Sequence, residues 1–132
     1  MVRPSQPSLH PSSANLECTG YTTFFPSTTD YPLGDSPRSW SKVPSMRHAM
    51  TLHPHSTYFL YLSPLALIAN PSLSLESHIL SPRRLESLMI VDQPVVPPDS
   101  VIKTFPHLKG DKVDMVLTQD TEGLGGDVFI MR

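Results

Sequence analysis

Three histidines lie close together in the chain, His48, His53 and His55, in the spacing H-x4-H-x-H. Imidazole is a common metal ligand. Zinc asks for three or four ligands on a defined scaffold, with further groups orienting each ring. No acid lies between Asp35 and Glu76, Pro54 interrupts the cluster, and the single cysteine, Cys18, is thirty residues upstream of His48. The spacing therefore predicts solvated loop histidines, with no metal and no cofactor. Gly123, Gly125 and Gly126 form a second cluster. A nucleotide phosphate loop needs a lysine followed by serine or threonine after its glycines, and Asp127 stands there instead. The dinucleotide fingerprint fails as well, because Val128 occupies the place of its third glycine. Serines and histidines are both present, yet nothing resembles a nucleophile elbow or an oriented base. On these grounds the chain is expected not to be an enzyme and to have no small-molecule substrate.

Proline supplies other candidate motifs. Pro4-Ser5-Gln6-Pro7 and Pro94-Val95-Val96-Pro97 have the spacing of polyproline ligands, without the basic residue that such ligands carry at a fixed offset. Ser81-Pro82-Arg83-Arg84 has the form of a proline-directed phosphorylation site at a helix start. Motifs this short arise often by chance in a chain where proline and serine make up about a quarter of the residues.

The elements available to position these groups are limited by the same prolines. There are 15 of them, spread from Pro4 to Pro106, and each fixes φ and removes a backbone donor. Charged residues are 17% and the formal net charge is −2, without the basic surplus of a free-standing nucleic-acid binder. With 39% hydrophobic residues the chain is not a typical solvated tail either. The single cysteine excludes an internal disulfide. Residues 1–16 have no acid and several serines, as organellar transit peptides do, but only Arg3 is basic and three prolines interrupt any helix. The most apolar run, Tyr58 to Ala69, is cut by Pro64 and is too short for the about 20 residues of a membrane span. No membrane association is expected.

The predicted fold is mostly irregular or disordered, with a short helix near 82–91 and a C-terminal β-hairpin. Residues 1–57 show no sustained period of 3.6 or 2, and residues 58–69 allow a short strand before Pro64 and a helical turn after it. Ser81 as a cap, Pro82 at the first helical position, and Leu85, Leu88 and Met89 at helical spacing predict the helix. Pro94 to Pro98 reads as an extended connector. Residues 107–132 contain no proline, and Val113, Met115 and Leu117 alternate as in a half-buried strand. A glycine- and acid-rich turn follows, then Val128 to Met131 as a second strand. This divides the chain into a Pro/Ser-rich, largely disordered leader, 1–106, and a folded start of a domain, 107–132.

The stretch from Val113 through Leu117-Thr118-Gln119-Asp120, Gly123-Leu124-Gly125-Gly126-Asp127 and Phe129 resembles the opening of the large-subunit ribosomal protein nine family, bacterial type. The wording Leu117-Thr118-Gln119 is similar to its mitochondrial members. The resemblance covers about a sixth of the chain. It implies a fragment of an α+β ribosomal domain, truncated after its first hairpin, whose glycines let the backbone approach RNA. Gly125 and Gly126 are adjacent here, where that family places two residues between the second glycine and its Gly-Asp. The implied RNA-binding residues are Lys112, Gly123, Gly125, Gly126 and Arg132. The implied function is a structural constituent of the mitochondrial large ribosomal subunit, with ribosomal RNA and that subunit as partners. Two alternatives stay open beside it: a mostly disordered polypeptide without stable function, and a Pro/Ser-rich segment that binds adaptor domains.

Overall fold

The computed structural model describes residues 21–95, 100–119 and 123–132. The motif Pro4–Pro7, Cys18, the transit-like stretch 1–16 and the turn residues 120–122 lie outside them. Two α-helices and a three-stranded antiparallel sheet form the framework: α1 (Lys42–Leu52), β1 (Phe59–Leu62), α2 (Pro82–Leu88), β2 (Met115–Gln119) and β3 (Leu124–Met131). The strand order is β1-β3-β2, so the last strand is the central one.

Helix α1 lies in a stretch without apolar periodicity. A 3-10 turn, Arg38–Ser41, leads into it, and Pro44 sits in its first turn, where a missing amide leaves no intrahelical bond unmade. The Ser45 hydroxyl donates to the Ser41 carbonyl and the Thr51 hydroxyl to that of Arg47, so polar side chains bond back to their own helix. The helix closes with the His53 amide on the Ala49 carbonyl, just before Pro54. Met46 is its buried apolar anchor. One inward methionine among Ser, Arg, His and Thr leaves no periodic stripe to read.

Helix α2 starts as its residues dictate, with Ser81 extended at ψ 136° and Pro82 in the first turn. It ends at Leu88, because Met89 turns out to ψ 131°. Leu85 is 2% exposed and is the most deeply buried large side chain among the described residues. A 3-10 turn, Gly110–Lys112, packs on this helix: the Gly110 amide donates to Glu86 Oε1 at 3.0 Å. A Cβ at Gly110 would overlap the Pro82 carbonyl. Between helix and turn the chain doubles back, with Val91 bridged to Thr104, Pro94 to Lys103, and Lys103 paired with Asp92. Asp92, between the two bridged positions, takes a positive φ of 58°.

On β3 the two sides differ. Toward β1 the register is continuous from Phe59↔Met131 to Leu62↔Val128. Toward β2 it runs from Met115↔Met131 to Leu117↔Phe129, then jumps to Thr118↔Gly125. Gly126, Asp127 and Val128 thus have no partner in β2, and the strand bulges there. Tyr61 stacks on Phe129 across the β1 side, with centroids 4.9 Å apart. Met46, Leu80, Leu85, Val113, Phe129 and Ile130 form the buried apolar set. Among the described residues no helix is long and apolar enough to cross a membrane.

Candidate functional site

The β1–β3 ladder runs one rung past β1, where the Ser63 amide donates to the Asp127 carbonyl at 2.8 Å. Within the bulge the Gly126 carbonyl takes its donor from far along the chain. Lys42, the first residue of α1, extends its ammonium to the Gly126 carbonyl at 2.9 Å, 84 residues along the chain. A Cβ at position 126 would sit 2.6 Å from Lys42 Nζ, so the ammonium would have to shift to make room for one. A Cβ at Gly125 would likewise crowd the Thr118 hydroxyl.

A cavity of about 720 Å³ lies against α1 and the sheet. One wall is α1, through Ser45, Met46 and Ala49; another is β1 with Ile130 of β3. The segment 21–26 crosses the open side, and Lys42 contributes a positive charge to the lining. A neighbouring cavity of about 300 Å³, lined by Ile68, Pro71, Leu73 and His78 among others, shares Tyr21, Leu60 and Leu75 with the first. The Tyr21 hydroxyl donates to Glu76 Oε2 and accepts from the Leu75 amide, each at 2.9 Å. Burial raises the Tyr21 pKa, and the carboxylate of Glu76 adds to the rise. Hydrogen bonds from its own amide and from Tyr21 lower that of Glu76. Burial, then the charge of Asp127, raises that of Tyr61.

The histidines are separated by the fold. His48 is on α1, where Phe24 and Tyr31 meet its ring edge-on and the Tyr31 hydroxyl lies 3.0 Å from Nδ1. His53 lines the larger cavity and His55 is exposed. Among the described residues no three His, Cys, Asp or Glu side chains group as a metal site. The five expected RNA-binding residues fall at both ends of β3. Gly123, at φ 149°, leads into it, and Gly125 and Gly126 form the bulge. At the other end the Arg132 guanidinium donates to the Asp111 carbonyl at 2.6 Å, and Lys112 lies 3.6 Å from the Asp111 carboxylate with its side chain exposed. Lys42 and Tyr21 carry no local signal in the sequence, since their partners are 84 and more than 50 residues away.

Residues 12–132 match the galactosyl transferase GMA12/MNN10 family. The chain belongs to that family. An uncharacterized alpha-1,2-galactosyltransferase of Schizosaccharomyces pombe is 27% identical over 104 residues, 76% of this chain and 28% of its own length. A second from the same yeast is 28% identical over 94 residues, 71% of this chain and 29% of its length. A probable alpha-1,6-mannosyltransferase, MNN11, of Saccharomyces cerevisiae is 30% identical over 78 residues, 59% of this chain and 18% of its length. The chain thus spans under a third of the length of these relatives. No solved structure matches it.

Membership corrects the ribosomal resemblance, because the match runs through residues 113–129, on which that resemblance stood. Two apolar strands joined by glycines are a general hairpin pattern, and here the hairpin is completed by β1 from residue 59. The mitochondrial ribosomal role falls with it, as do ribosomal RNA and the large subunit as partners of Lys112, Gly123, Gly125, Gly126 and Arg132. So do the two alternatives, a chain without stable function and an adaptor-binding segment. The expectations of no enzyme and no small-molecule substrate are overturned too, since this is a family of transferases with sugar substrates. They had rested on motifs for phosphate loops and nucleophiles, which test other chemistries.

Proposed function

We propose that the protein carrying these residues transfers a galactosyl group from an activated donor to a sugar hydroxyl. In such a transfer the acceptor oxygen bonds to the anomeric carbon while the bond to the leaving group breaks. The leaving group keeps the electron pair, and the hydroxyl proton passes to a base or to water. The observation that carries the reading is the family match over residues 12–132, with relatives whose names specify α-1,2-galactosyl transfer. The larger cavity fits it, because about 720 Å³ lies within the roughly 300–1,000 Å³ of small-ligand pockets. Its walls set aromatic and aliphatic side chains beside serine and threonine hydroxyls, and Lys42 places a cation where negative charge on a departing group would be stabilised.

The test uses protein captured from its own cells with an antibody to this segment, so that any further residues are retained. It is incubated, in parallel reactions, with nucleoside-diphosphate galactose or nucleoside-diphosphate mannose and an oligosaccharide acceptor, and the product linkage is read by NMR. A new galactosyl bond to position 2 of the acceptor is expected. Transfer only from the mannosyl donor would reject the galactosyl reading, and transfer from neither would reject the function altogether.

A further inference from the structure

We infer that the smaller, half-open cavity binds the aliphatic chain of an amphiphile, with the chain laid on its inner wall and the polar head at its rim. The lining is graded by depth. Its half-buried positions are Leu60, Ile68, Leu75, Ile79 and Tyr21, four aliphatic side chains and one phenol. Its other polar side chains, Asn70, Ser74 and His78, are all exposed. The larger cavity has no such gradient: Ser41 and Ser63 are buried in its lining and Lys42 is half-buried, so polar groups reach its interior.

What the inner wall binds follows from the hydrogen bonds already made. The Tyr21 hydroxyl, the one side-chain polar atom at that depth, accepts from the Leu75 amide and donates to Glu76. At the rim the Asn70 carbonyl oxygen accepts from the Ser72 amide, and the Ser74 hydroxyl is bonded to that of Ser77. A sugar ring pressed on the inner wall would give up hydrogen bonds to water and receive none in return. An aliphatic chain gives up none, and it removes apolar surface from water on both sides of the contact. No other described residue holds the Asn70 amide nitrogen or the His78 ring, so both are available at the rim to a polar head. A volume of about 300 Å³ is at the lower end for small-ligand pockets, which suits a single chain of moderate length.

The test titrates the full chain with methyl, butyl, hexyl and octyl galactoside below their micelle concentrations. These share one head and differ only in the tail. The readout is binding, so a negative transferase assay leaves the result intact. The Ile68 and Ile79 methyl resonances are expected to shift, and affinity to rise roughly two- to fourfold per added methylene from butyl to octyl. Octanol is expected to bind more weakly than octyl galactoside; equal affinity would overturn the head site at the rim. Ile68→Ser should weaken octyl galactoside roughly tenfold. Leu67→Ser, at a side chain 82% exposed and outside the lining, should leave it unchanged. Should Ile68→Ser fail to fold, Leu73→Ser at the exposed rim takes its place, with a smaller loss expected. Octyl affinity no greater than methyl affinity in the wild type, or unchanged in the variant, would overturn the site.

Discussion

The two edges of β3 make an instructive pair. Its β2 neighbour lies next to it in sequence, yet their register breaks after Leu117. Its β1 neighbour is about sixty residues away, yet the pairing is uninterrupted for four residues. Nearness in sequence therefore does not decide which pairing is the more regular. Within the bulge on the β2 side the Gly126 carbonyl accepts from Lys42 of α1, while the β1 ladder runs on regularly to Ser63 and Asp127. Irregularity on one edge ties the sheet to the helix, and both line the cavity.

Removing the residue common to both edges should have the largest effect. Phe129 pairs with Leu117 on one side and Tyr61 on the other and is buried, so Phe129→Ala is expected to cost about 3–5 kcal/mol in urea unfolding. A loss below about 1 kcal/mol would mean that the two pairings do not share a core. Lys42→Met separates the edges more finely. It leaves the Gly126 carbonyl without its donor and should cost about 1–3 kcal/mol, while the Leu117↔Phe129 contact stays intact by NMR. If stability holds, the bulge does not depend on α1. The smallest effect is expected from pH, at the contact between Tyr21 and Glu76. Tyr21 is raised, so its contribution is complete below pH 10.0 and fades as pH rises through the folded value. Glu76 is lowered, so its contribution is present above pH 4.5 and fades as pH falls through the folded value. Leu75 amide exchange, corrected for its intrinsic pH dependence, should accelerate at both extremes; β3 amides should hold at low pH and loosen only at high pH, where Tyr61, raised as well, ionises against Phe129.

Local chemistry made some of this structure legible. Ser81-Pro82 with Leu85 marks the start of α2, because that signal lies within the element it predicts. The alternation of Val113, Met115 and Leu117 finds the position of β2 but not its face, since Met115 and Leu117 are exposed and Val116 is the more buried. Helix α1 was opaque, since Met46 alone anchors it and its serines and threonines bond inward to the backbone. Strand β1 was readable only as a short apolar piece before Pro64. Its partner lies about sixty residues further on, beyond α2 and β2, and four residues carry no register of their own. Of the cavity, only the glycines at its edge drew attention, and for the wrong chemistry. What they accommodate is a lysine side chain from α1, and nothing near Gly126 in the sequence announces Lys42.

The absence of a side chain at Gly110 has a mechanical result. With its amide on Glu86 and its α-carbon against the Pro82 carbonyl, there is no compliant layer between α2 and the turn that leads into β2 five residues later. A displacement of that helix must therefore be carried into the hairpin almost undamped, as through a rigid coupling.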